Sequence, residues 1–283
     1  MFSFFRVGRR STPEQTSKGR RFTRIANENR LLFKSWISSD ERVKISASSA
    51  RRYDRTSPLP PLENIAELPK TPIKVVSADT LDCAETLTRE GKQDIVVLNM
   101  ANARVPGGGY LHGSVAQEEA LCRRSTLYLT IRPERRLHPI PPHGGIYSSD
   151  VLVFRTSDDT YCQMLPEDKW WWTSGISVAG IAAPNLNSEG TDYAHKEDRE
   201  STRERIRTIL RIAGMEKRKN LVLGALGTGA FMNPPRAVAQ LFKEVFESGE
   251  FKGRFEGIWF AIIERGSSDN FVVFKEILDG MEI

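Results

Sequence analysis

From residue 73 onward the chain alternates short apolar runs with longer amphipathic stretches. IKVVSADTL (73–81) reads as a strand ending in a turn, and DTLDCAETLTREG (79–91) as a helix that stops at Gly91. DIVVLNMA (94–101) is apolar almost throughout, as a strand buried on both faces requires. A helix is predicted from about residue 115, a strand at 151–155 and another in ISVAGIAAPN (176–185). The charged stretch 192–215 carries an apolar stripe at 206, 209, 210 and 213 and predicts a long helix. LVLGAL (221–226) and GIWFAII (257–263) read as buried strands. Between them PPRAVAQLFKEVFE (234–247) is apolar at 237, 238, 241, 242, 245 and 246, and FVVFKEILDG closes with a helix. Strands alternating with helices predict an α/β body with a mixed, largely parallel sheet flanked by helices.

Ahead of residue 73 the pattern is weaker. Residues 1–22 read as a basic disordered tail. Residues 23–37 place apolar side chains at 25, 32, 33, 36 and 37 and predict an accessory helix, and 38–72 read as a Ser/Arg/Pro-rich linker or insertion. Residues 73–283 are then the catalytic or binding domain. Charge sharpens this division. Residues 1–55 hold fourteen Lys/Arg against five acids, net +9, which leaves −4 for the rest of a chain whose total is +5. The basic segment fits a solvated tail, contact with a polyanion, or a targeting peptide over residues 1–24, and these stay open. No apolar run reaches the length of a membrane span. Cys83, Cys122 and Cys162 form no metal-ligand spacing and no disulfide framework, which suits a reducing compartment, and Cys122 reads as a packed thiol.

The chemistry concentrates in PGGGYLHGSVAQEEALCRRSTLY (106–128). Three glycines follow a buried strand, and removing three side chains suits a backbone that lies against something. Ser114 to Gln117 fits a capping box that opens a helix, with Ser114 as the cap and Gln117 reaching back. Glu118 and Glu119 then sit in the first turn, about 100° apart on the helix, so they cannot do the same job. A second loop, LVLGALGTGAFMNPP, puts Gly224, Gly227 and Gly229 between a strand and a helix, with Asn233 as the expected cap and Pro234 as the first helical residue. Strand, glycine turn and helix N-terminus make a phosphate cradle, although neither a Walker A loop nor the GxGxxG dinucleotide fingerprint is present. Two such loops at one sheet edge imply a ligand with a diphosphate. Trp170–Trp172 and the scattered His112, His138, His143 and His195 read as packing or surface positions.

PGGG, seven residues and QEE resemble the signature of poly(ADP-ribose) glycohydrolases, and the blocks VLNMANARVPGGG, AQEEALCRRSTLY, HPIPPHGGIYSSDVLVFR, VAGIAAPN and VLGALGTGAFMNPPRAVAQLF are similar, in order, to the microbial type of that family. The resemblance implies a macrodomain-like three-layer fold that binds ADP-ribose. It implies a glycosidase that hydrolyses ribose–ribose O-glycosidic bonds from chain ends, acting in ADP-ribosylation and the DNA damage response. Carried over, Glu119 is the catalytic acid and Glu118 holds the distal ribose, with Asn99 and Asn102 flanking it. Gly107, Gly108 and Gly109 wrap ribose and diphosphate, Gln117 belongs to the substrate-binding set, and Gly227, Thr228, Gly229, Ala230 and Phe231 form the second diphosphate loop. No metal and no cofactor is implied. A monomer that meets poly(ADP-ribose) in the nucleus or cytoplasm is expected. The departures from the family pattern are Leu226, where many relatives have an aromatic residue, and Thr228, where many have Cys. Two other readings remain: a reader that binds ADP-ribose without turnover, and a hydrolase of mono-ADP-ribosylated protein or DNA. Removal of residues 1–22 is expected to leave turnover of short oligomers unchanged.

Overall fold

The computed structural model describes residues 13–54, 58–63, 69–264 and 268–283. In chain order, helices α1 (Pro13–Ser39) and α2 (Glu41–Ser49) precede a short strand β1 (Arg51–Tyr53). The body follows as β2 (Ile73–Val76), α3 (Thr80–Arg89), β3 (Ile95–Met100), α4 (Gln117–Arg124), α5 (Leu127–Ile131), β4 (Gly145–Val153) and β5 (Trp171–Val178). It closes with α6 (Lys196–Met215), β6 (Asn220–Leu223), α7 (Pro235–Glu247), β7 (Gly257–Ala261) and α8 (Asn270–Leu278).

The strands make one 7-stranded sheet in the order β1-β4-β5-β3-β6-β7-β2. From β5 to β2 neighbouring strands are parallel, and β4 and β1 are added antiparallel at one end. Every residue of β3 except Met100 is buried, as are all of β6 and β7, so the apolar runs are strands covered on both faces. One face packs on α6, α7 and α8 through Ile206, Ile209, Phe242, Phe246 and Phe274. The other packs on α3, α4 and α5 through Leu81, Leu87, Leu121 and Leu127. Helices on both faces of a mixed sheet give the expected three layers.

Several elements depart from the sequence expectation. Residues 13–22, expected in a disordered tail, form the start of α1, and residues 1–12 lie outside the described residues. The reason is packing: Phe22 is fully buried and clusters with Ile25 and Cys162, while Ala26 joins the core beneath α4. Within 38–72, expected as a linker, α2 buries Val43 and Ala47 against Leu129, Leu152 and Phe154, and β1 pairs with β4. The half-buried Trp170 and Trp172 join the same cluster, so the tryptophan run is packing. Strand β4 begins at Gly145 rather than near 151, and β5 at Trp171 rather than 176. All three cysteines are buried and free. Among the described residues no helix is long and apolar enough to cross a membrane.

Candidate functional site: a carboxylate pair facing a glycine loop

Strands β3 and β6 are neighbours at the centre of the parallel sheet, and a glycine-rich loop leaves the C-terminal end of each. Gly108 from the first loop and Gly227 and Gly229 from the second line one cavity of about 590 Å³, together with Glu118 and Glu119. This is where an open parallel sheet places its crevice. Asn102, Gln117, Ala230 and Phe231 also line it. A smaller cavity of about 200 Å³ shares Met100, Val115, Ala116, Gln117, Ala225 and Gly229 with the first and includes Thr228.

Helix α4 carries the two carboxylates in its first turn. Its N-cap is Ala116, which makes no side-chain cap, so the Ser114 capping box does not form. Gln117 reaches the sheet instead of the cap. Its Nε2 donates to the Leu98 carbonyl at 2.6 Å, and its Oε1 accepts from the Met100 amide at 3.0 Å. That side chain fixes the depth at which α4 meets the end of β3. At the other end of α4, Arg123 is fully buried, donates to Asp158 and to the Ser114 carbonyl at 2.6 Å, and stacks under the Phe22 ring at 3.9 Å. Arg124 pairs with Asp79 and Asp82 at the start of α3. The sequence reading passed over both arginines. The signal was available: two adjacent cations after QEE in a helix whose other residues are needed inside can only be buried as paired charges.

Glu118 is 3% exposed. Its Oε2 accepts from the Asn102 amide at 2.7 Å and its Oε1 from Asn99 Nδ2 at 3.3 Å. Asn99 also donates to Ser177 Oγ at 2.9 Å, across the β3–β5 register that pairs the two residues. Burial pushes the Glu118 carboxyl from 4.5 up to about 8, against the pull of hydrogen bonds from Asn102, Asn99 and Gly107, with the Glu119 charge adding a smaller rise. The helix N-terminus favours the ionised form, by about 1–2 kcal/mol at most, so desolvation wins. Glu119 is 7% exposed. Its Oε1 accepts from the Gly109 amide at 2.7 Å, while its Oε2 has no hydrogen-bond partner among the described residues. One carboxylate is thus tied down on both oxygens, while the other lines the cavity and keeps one buried oxygen without a partner.

The triple glycine serves these carboxylates. Gly108 has φ +55°, and a Cβ there would stand 2.6 Å from Glu119 Oε1 and 3.0 Å from Glu118 Oε2. The Gly108 amide bonds to the Val105 carbonyl and the Gly109 amide to Glu119. The first loop therefore turns its amides inward, and a ligand meets its Cα surface, not a set of donors. Asn99 lies fully buried behind Glu118, and the Asn102 side chain folds the loop by accepting from the Arg104 and Val105 amides at 2.9 Å. In this structure both asparagines hold Glu118 and the loop.

The second loop has the opposite character. The amides of Gly229, Ala230 and Phe231 donate to no protein acceptor among the described residues. Consecutive amides without a partner can hold an anion, the role that the sequence assigned to a helix N-terminus. Helix α7 itself starts at Pro235 with Pro234 as its cap, so prolines supply no donors there. Asn233 turns inward, donating to the carbonyls of Ile181 at 2.7 Å and Gly227 at 3.0 Å. Gly227, at φ +73°, leaves the space that this side chain occupies. Leu226, at the family-divergent position, is buried in the core. His112 lines neither cavity. No group of three or more metal-ligating side chains occurs among the described residues.

Comparison with known proteins places this arrangement. The family model for the catalytic domain of microbial-type poly(ADP-ribose) glycohydrolase (PARG) matches residues 33–156. The structure is similar to that of poly(ADP-ribose) glycohydrolase from Thermomonospora curvata, with 27% identity over 91% of this chain and 99% of that one and a TM-score of 0.73. It is equally similar to that enzyme bound to the inhibitor ADP-HPD, at 26% identity over 90% and 98% of the two chains and a TM-score of 0.73. The enzyme from Deinococcus radiodurans in complex with ADP-ribose is 31% identical over 74% of this chain and 84% of that one, with a TM-score of 0.61. No curated protein matches the chain.

Proposed function

The chain belongs to the microbial-type poly(ADP-ribose) glycohydrolase family, and from that membership and the geometry of the carboxylate pair we infer how it hydrolyses poly(ADP-ribose) to ADP-ribose. The observation that carries the reading is the asymmetry of the pair: Glu119 faces the cavity with one oxygen unpartnered, while Glu118 is held on both. The terminal ADP-ribose unit occupies the two joined cavities, its diphosphate on the amides of Gly229, Ala230 and Phe231. Two joined pockets, rather than a continuous groove, support cleavage from chain ends.

The scissile bond joins the anomeric carbon of one ribose to the 2′-oxygen of the next. Glu119 Oε2 gives its proton to that oxygen as the C–O bond breaks, and positive charge spreads over the anomeric carbon and ring oxygen. The resulting Glu119 carboxylate, steadied by the Gly109 amide, then takes a proton from the water that attacks the sugar. Glu118, protonated near neutral pH, donates a hydrogen bond to a ribose hydroxyl. Residues 1–55, net +9, draw the polyanionic substrate toward the protein. Three buried free cysteines fit an intracellular compartment.

Glu119→Ala should lower ADP-ribose release from polymer at least about 10³-fold. Calorimetry with ADP-ribose should still show binding. Wild-type protein as inert as the variant would leave a reader, and faster turnover of mono-ADP-ribosylated protein or DNA than of polymer would move the activity to those substrates.

A further inference from the structure

A second pocket lies on the far side of the first loop, between α1 and α5. It measures about 290 Å³. The two sites share a wall: Gly108 lines the catalytic cavity and Leu111, three residues on, lines this pocket. Tyr128 also lines it, and packs so closely on the same loop that a Cβ on Gly107 would stand 2.8 Å from its ring. The floor is apolar, with Phe33, Ile37 and Leu111, and the rim is cationic, with Arg30, Lys34 and Arg132.

The cations are the unusual feature. Arg30 and Lys34 stand one turn apart on α1, where like charges repel. Neither has an acidic partner among the described residues, and both are exposed. Arg132 is half-buried, donates to the Leu129 carbonyl at 2.7 Å and has Glu134 at 3.7 Å. Glu134 is the single acid among the lining residues, so the pocket carries a surplus of positive charge over an apolar floor. Further back on α1, Arg24 pairs with Glu28. An uncompensated cation pair above apolar side chains suits a ligand with phosphates and a flat base or sugar face.

We propose that this pocket is an accessory subsite for a phosphate-bearing ADP-ribose unit further along the polymer, one that stays attached to the leaving side of the scissile bond. The proposal rests on the glycohydrolase reading above and adds where the rest of the substrate lies. The first unit of a chain leaving Glu119 crosses the turn at 107–111, and the unit after it meets Arg30 and Lys34. The subsite makes long polymer bind better than the shortest oligomer without touching the bond that is cut.

The test is R30E/K34E, with R30K/K34R as the charge-preserving control. Hydrolysis kinetics of long polymer and of a two-unit oligomer should separate. For long polymer the reversal should raise KM by about tenfold, the scale of losing two phosphate contacts, with kcat unchanged. KM for the two-unit oligomer should stay at the wild-type value, and R30K/K34R should match wild type on both. Fluorescence anisotropy of end-labelled polymer on Glu119→Ala protein, with and without R30E/K34E, reads the subsite in the absence of turnover. If wild type fails to cleave polymer, the glycohydrolase reading falls while this binding comparison still judges the pocket. An unchanged KM for long polymer, or an equal rise for both substrates, overturns the proposal. So does an equal loss of affinity for single-stranded DNA, which would make the site a general polyanion patch.

Discussion

Gly108 is the residue on which the carboxylate pair depends most directly. Its φ of +55° favours glycine, and the two glutamates it faces leave no room for a Cβ. Gly108→Ala should displace Glu119 and lower kcat on polymer about 10²-fold, since shifts near 1 Å cost that much, while the circular dichroism spectrum stays native. Glu118 gives a pH signature. Its folded carboxyl titrates at about 8 against an ordinary 4.5, so the folded state holds the extra proton between those values. Its contribution is therefore intact at low pH and is lost as pH rises through about 8. In Glu118→Gln this falling limb should flatten in urea titrations run from about pH 5 to about pH 9. A curve as steep as wild type would assign the limb to another group. The carboxylates and glycines were legible in sequence because QEE and GGG are rare at that spacing. The inward direction of the loop amides was not, because a glycine says that a side chain is excluded and not by what.

Among the elements, α1 changes the picture most. Composition made residues 13–22 a tail because Lys18, Arg20 and Arg21 stand there among other polar residues, and one buried Phe22 outweighs them. Asn29, also fully buried, donates to the Tyr110 hydroxyl at 3.1 Å and to the Arg123 carbonyl at 2.9 Å, so α1 touches both the glycine turn and the catalytic helix. The expectation that removing residues 1–22 leaves turnover of short oligomers unchanged therefore reverses. Phe22→Ala should cost about 3–5 kcal/mol in urea unfolding, and the truncated protein should lose most of its rate on polymer. Full turnover in the truncated protein would show that α4 keeps its place without this support. The strands and helices beyond residue 73 were readable from periodicity alone, with errors at their ends. Strand β5 starts at Trp171 because Trp171 and Trp172 already pair with Val153 and Leu152 of β4.

At the scale of the molecule, the parallel half of the sheet supplies the crevice and the antiparallel end supplies the platform for α1 and α2. The ligand bridges loops from β3 and β6, so binding should stabilise the whole fold and not one corner of it. ADP-ribose at about 100 times its Kd should add about 2.7 kcal/mol and raise Tm by about 5–10 °C. The shift should persist in Glu119→Ala, because the phosphate amides lie on the other loop. No shift in either protein would place the ligand elsewhere.

The close approach of α1 to the glycine turn has one more effect. Gly113, at φ +77°, sits so near the carbonyl of Gly19 that neither backbone has room to move toward the other. With Tyr110 fully buried and Gly109 tied to Glu119, the turn is clamped from both sides before any substrate arrives. It behaves as an anvil and not as a lid: a wall held this way meets the sugar in one shape, so capture costs less ordering of the protein than a loop that must close over its ligand.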